Sequence, residues 1–218
     1  MGLTKTLNDI LIDVNSYVDL EAELPTGDEL TTRTNYANQA VWDAFNTAQL
    51  NEFSREYQVD PSTNVTISLP TGFSTFKGHP KQKVNGAWVE FPEILPEEKY
   101  DKSDGDKYCY VMGNPSSGYV AIFNGLEASC TLSMMYQSFP SGMATLSDVC
   151  EISDPTFVVA QTESYILQAR GDERFPFVNS VAQTKLRNLV TKSMRSPGGQ
   201  MRSPKIGFTS PLGKNSWS

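Results

Sequence analysis

The sequence predicts an α+β protein: a four-helix bundle, two helices from each end of the chain, with an inserted antiparallel β-sandwich-like domain and an extended C-terminal arm. Three observations lead there. Apolar residues recur at helical spacing near both ends of the chain. Between them the pattern switches to period two, punctuated by Gly, Asn and Pro turns. Beyond residue 195, Gly, Pro and Ser dominate and helix is not expected. The implied boundaries are N-terminal helices at 1–60, the β insertion at 61–147, C-terminal helices at 148–195 and the arm at 196–218.

Leu3, Leu7, Ile10, Leu11, Val14 and Val18 place an amphipathic helix over roughly the first 15 residues. Pro25, Gly27 and Asp28 break it. Asp28 or Thr31 is the expected cap of a second helix. Its stripe is Ala37, Ala40, Val41, Ala44, Phe45 and Ala48, continuing to about Tyr57, before Asp60-Pro61 stops it. Val65, Ile67 and Leu69 alternate with polar residues as a half-buried strand, and 73–76 reads as another. Asn85-Gly86 is the strongest hairpin signal in the chain. The acidic, Pro-containing stretch 92–106 reads as a loop, and 108–112, 119–123 and 128–136 read as strands.

The helical period then returns. Asp154 before Pro155 is an N-cap followed by proline at the first helical position. Phe157, Val158, Thr162, Tyr165, Ile166 and Ala169 form one face, and Gly171 ends that helix. Pro176 is expected to open the last helix, with Val178, Val181, Ala182, Leu186, Leu189, Val190 and Met194 as its stripe. Four such helices need one another to bury their stripes.

Composition narrows the function. The 218 residues carry 25 acidic and 18 basic side chains, a net charge of −7, which argues against wrapping nucleic acid through a basic face. The charge is uneven. Residues 185–218 hold seven bases and no acid, so all the acidity lies in the body. An acidic body with a basic end reads as an interaction arm or a solvated terminus. No apolar run is long enough for a membrane helix. The N-terminus does not read as a signal peptide, so a cytosolic site of synthesis is expected.

No motif stands out as catalytic. Cys109, Cys130 and Cys150 are widely spaced and odd in number, so no disulfide framework is expected. With the single His79 in a Gly-His-Pro-Lys turn, they lack the spacing of a zinc site or a Cys–His pair. Cys109 and Cys130 are expected as small apolar residues in strands. Arg170-Gly171-Asp172 spells an adhesion tripeptide, but a helix terminator followed by the next cap explains it. Arg170, Asp172, Glu173 and Arg174 are expected to fix that corner or to meet a neighbouring subunit. The acids of 92–106 lack the order of a calcium loop and single out no carboxylate pair for glycoside chemistry. The Asn64 sequon matters only in a secreted protein. Trp42 and Trp88 are expected in the core, with sugar stacking as the other reading. No metal or cofactor is expected.

The arm has more content. Its 23 residues can span up to about 75 Å. Met201, Ile206, Phe208, Leu212 and Trp217 are spaced among Arg195, Arg202 and Lys205. Each anchor contributes roughly 1.5–3 kcal/mol when buried. Ordering each residue's backbone costs roughly 1–2 kcal/mol. One arm alone therefore binds weakly, and many arms on one assembly bind tightly.

The segments from Thr32-Arg33-Thr34-Asn35-Tyr36 to Ala40 and from Ser164-Tyr165-Ile166-Leu167-Gln168 to Pro176 complete a resemblance. In helix pair, β insertion, helix pair and basic arm, the chain resembles the head-to-tail adaptor (connector, or neck) proteins of tailed bacteriophages. The resemblance implies a virion structural protein, made in the host cytoplasm and placed at the virion neck. It implies a homo-oligomeric ring beneath the portal, commonly of about twelve copies. That ring would join the portal to the tail or a further neck protein and pass double-stranded DNA without sequence-specific binding. The arm would dock on the portal, and no catalytic residue is implied. An acidic body lining the channel would repel passing DNA. Another neck or tail-tube component, such as a stopper, remains open, as do a carbohydrate-binding module and a hydrolase using Glu97 and Glu98.

Overall fold

The computed structural model describes residues 4–47, 50–61, 65–128 and 130–194. It is a mixed helix-and-sheet fold in which all strand pairing between named strands is antiparallel. Helix α1 is Leu7–Val18. It starts later than the periodicity alone suggests because Thr6 and Asp9 form a reciprocal capping box. Leu7, Ile10, Leu11, Val14 and Val18 are its buried stripe, as expected.

Helix α2 is Gly27–Thr47. Asp28 and Glu29 lie in its first turn, where acids favour the helix dipole. The Thr31 hydroxyl bonds back to the Gly27 carbonyl and so does not act as the cap. Ala37, Ala40, Val41 and Ala44 are buried, and Ala48 lies outside the described residues, as does Leu3.

The expected continuation of this helix to Tyr57 is wrong. A 3-10 turn at Asn51–Phe53 leads into strand β1, Ser54–Val59. Leu50 and Phe53 still enter the helical core, whereas Tyr57 and Val59 face the β core. A six-residue ladder from Ser54 opposite Gln137 to Val59 opposite Leu132 outweighs the weak helical stripe.

The remaining strands are β2 (Thr66–Ser68), β3 (Phe73–Phe76), β4 (Lys81–Val84), β5 (Ala87–Glu90), β6 (Tyr108–Asn114), β7 (Gly118–Asn124) and β8 (Leu132–Ser138). One sheet has the order β1-β8-β4-β5, with β3 also on β8; the other is β2-β7-β6. Asn85 and Gly86 both take positive φ, 49° and 83°, as the hairpin between β4 and β5 requires. Ile67, Phe73, Phe91, Cys109, Phe123, Leu132 and Met134 bring both sheets into one apolar cluster. Strand β8 begins four residues later than expected, and Cys130 precedes it instead of lying in it. The 92–106 stretch contains a 3-10 helix, Pro96–Asp101.

Helix α3 is Pro155–Arg170 and α4 is Phe175–Met194, with Pro176 one residue inside. Asp154 accepts from the Thr156 N–H, and Gly171 closes α3 in the left-handed region at φ 65°. Helix α3 packs against α1, α2 and α4, and all four supply one core. Phe45, Phe53, Phe139 and Trp42 stack at the junction of helices and sheet, with centroids 5.4–5.7 Å apart. The return segment is tied to α1 by Leu7 N–H to Asp148 O (2.9 Å) and Cys150 N–H to Lys5 O (3.0 Å).

Candidate functional site

The end of the helical unit that carries the α1–α2 and α3–α4 turns holds a polar cluster built on Arg33, Arg170 and Arg174. Arg33 lies four residues before Ala37 on the inner stripe of α2 and is only 2% exposed. Its guanidinium donates to Asn15, Asp19 and Glu29. Asn15 in turn donates to the Glu23 carbonyl at 2.6 Å, drawing in the α1–α2 loop. Arg170 adds a second cation, at 2.5 Å from Asp19 and 3.3 Å from Glu29. Hydrogen bonds from Arg170, and then from Arg33, hold the Asp19 carboxyl below the ordinary carboxylate range.

The α3–α4 turn is built the same way. Arg174 grips Asp172 through backbone and side chain at 2.8 Å, which holds the Asp172 carboxyl down to about 2. The Arg174 guanidinium also donates at 3.4 Å to the carbonyls of Tyr17 and Val18, at the C-terminal end of α1. A cation there complements the helix dipole. Three of the four residues expected at this corner are therefore engaged within the chain, while Glu173 is exposed. Arg195, Met201, Arg202, Lys205, Ile206, Phe208, Leu212 and Trp217 lie outside the described residues.

Sequence reasoning missed two residues here. Arg33 was legible as a charge on an apolar stripe, with Glu29 one turn before it. Leu20 carried no signal. It follows the Asp19 cap of α1 with φ 61°, a left-handed position usually given to Gly, and is 87% exposed. A bulky side chain there costs roughly 1–2 kcal/mol. Backbone strain kept at an exposed apolar tip marks a contact candidate. Tyr17 and Phe177 are also exposed at this end, on α1 and α4.

The other chemistry-bearing residues have structural environments. Cys109 is buried, its thiol donates to the Phe91 carbonyl at 3.4 Å, and burial pushes it up to about 12. Burial likewise pushes Cys150 up to about 11. Such thiols are poor nucleophiles. Glu93 lies beside Cys109 and His79, and burial raises its carboxyl above the ordinary 4.5. Among the described residues no group of three His, Cys, Asp or Glu is placed to hold a metal. In the acidic stretch, Glu98 accepts from the Leu95 N–H and Asp106 from the Ser103 N–H, both at 2.9 Å. Trp42 is half-buried against Phe45 and Phe139 and lies beside the core rather than within it, and Trp88 is not in the core: it is 57% exposed on β5. The cause is that β5 is an edge strand and Trp88 points away from the cluster that its sheet shares with the other. No helix among the described residues is long and apolar enough to cross a membrane.

These groups set a pH response. Asp19 and Asp172 have folded values below the ordinary 3.8, so their contribution is present above that value and is lost as pH falls through the folded ones. Glu93 and Glu163 run the other way. Burial raises both above 4.5, so their penalty at neutral pH is relieved as pH falls through the raised values. Thermal unfolding is expected to show the midpoint rising as Glu93 and Glu163 protonate above 4.5, and then falling as the pH drops below 3.8 and Asp19 and Asp172 protonate. A steady decline from pH 7 downward contradicts this assignment.

In comparisons with known proteins, the chain matches no family model and no curated protein.

Proposed function

We propose that the chain is a head-to-tail adaptor of a tailed bacteriophage, a virion structural protein that assembles as a ring between portal and tail. One observation carries the reading most directly. Helices from the two ends of the chain share one apolar core, while the strands between them form a second core of their own. In the proposed architecture the four helices act as a bundle, the two sheets as a sandwich-like insertion, and the basic arm beyond Met194 as the portal contact. The rigid polar corner supports a wedge that neighbouring subunits meet, with the exposed Leu20 tip as the contact. Its charges are spent within the chain, so the apolar tip and not the Arg170–Arg174 corner supplies the affinity. The acidic body lines the channel and lets double-stranded DNA pass. No cofactor is invoked.

Co-sedimentation with the portal protein of the same virus tests the arm. Full-length chain is expected to co-sediment, and a chain lacking residues 196–218 to lose binding at least tenfold. Undiminished binding of the shortened chain removes the arm from the account.

The exposure of Trp88 favours one other reading, a carbohydrate-binding surface on the β unit. A sugar-dependent change in tryptophan fluorescence that Trp88→Ala abolishes would support it.

A further inference from the structure

A groove of about 410 Å³ runs between α1 and α4 over the surface of α3. Its floor is Val159, Ala160 and Val178, and its rim carries Tyr17 and Phe177, 58% and 74% exposed. Glu163 sits in its wall, half-buried, with the Arg174 charge acting on it. Burial raises its carboxyl above 4.5, against the pull of Arg174. Of the other charged groups of the wall, Lys5 pairs with Asp13, and Lys185 donates to the Thr156 hydroxyl at 2.8 Å. The groove thus presents apolar surface, two open aromatic rims and a half-buried carboxylate in its wall.

We propose that this groove is the seat of the chain's own C-terminal arm in the free subunit, with residues 201–208 as the occupying segment. The segment Met201-Arg-Ser-Pro-Lys-Ile-Gly-Phe208 supplies apolar anchors directly beside bases. Its cations suit Glu163, and Ile206 and Phe208 suit Tyr17 and Phe177. Reach agrees. From Met194 back to Val181 along α4 is about 20 Å at the helical rise. The seven residues from Met194 to Met201 span up to about 25 Å when extended. Ser196-Pro197-Gly198-Gly199 provides turn residues where the chain must reverse. The body is acidic and the arm contains no acid, so the long-range field also draws the arm inward. Tethering favours the same chain over a second copy through effective concentration. The arm is then stored on the subunit until a portal competes for it. This goes beyond the adaptor reading, because it concerns the subunit before assembly.

Photo-crosslinking of the full chain tests the seat. Phe208→p-benzoylphenylalanine is prepared in light and isotopically heavy forms, mixed at low micromolar concentration and irradiated. Mapped crosslinks are expected on residues 156–185 or on Tyr17, joining light to light and heavy to heavy only. Phe177→Glu, at an exposed position, is expected to reduce their yield at least fivefold. Light-to-heavy crosslinks, crosslinks confined to other surfaces, or an unchanged yield in the Phe177→Glu chain overturn the proposal. The ring reading fails separately: a ring whose arms never crosslink to the groove defeats only this inference, and same-chain groove crosslinks in a subunit that forms no ring defeat only the adaptor.

Discussion

Arg33→Ala is expected to cost about 3 kcal/mol, the low end of the range for breaking a buried charged network. For a chain of this size that lowers the unfolding midpoint by roughly 6–12 °C. The guanidinium joins Asn15 of α1, the Asp19 cap and Glu29 in the first turn of α2. Its removal leaves Asn15 buried without that donor and Asp19 dependent on Arg170. Arg33→Lys keeps the charge but not the fork, and an intermediate loss is expected. Arg170→Ala removes a partner whose side chain is 42% exposed, so a change under about 1 kcal/mol is expected. Denaturant unfolding of the three variants checks the order. Equal losses for Arg33→Ala and Arg170→Ala contradict the view that burial sets the hierarchy.

Leu20→Gly is expected to move stability and assembly in opposite directions. Relieving the left-handed leucine gains more than the added freedom of glycine in the unfolded chain costs, for a net gain of about 1 kcal/mol or roughly 2–4 °C. Losing the apolar tip is expected to weaken subunit association by at least tenfold, since such an anchor contributes roughly 1.5–3 kcal/mol when buried. Thermal unfolding and sedimentation velocity on the same sample read both quantities. A stabilised variant that assembles unchanged removes Leu20 from the subunit contact.

What could be read in the sequence follows from the range of the forces involved. Local devices were legible: the Asp154-Pro155 start of α3, the Gly171 stop and the Asn85-Gly86 hairpin each work through their own backbone. The helical stripes were legible because burial imposes their period. The 54–59 strand was not, because its conformation depends on β8, some 80 residues later in the chain. Ser54-Arg55-Glu56 carries no alternation of its own. The corner was half legible. Arg170, Asp172 and Arg174 could be grouped by adjacency, but their partners Asp19 and Glu29 are brought in by helix packing. Leu20 was invisible because a leucine in a left-handed position looks like any other leucine until the backbone is built.

The adaptor reading turns on whether the protein makes a ring. Native mass spectrometry with negative-stain imaging of the purified full chain, alone and mixed with the portal of the same virus, measures that directly. The account predicts closed rings of one uniform copy number, formed alone or on the portal, with a central channel. A monomer that stays monomeric in both samples contradicts it.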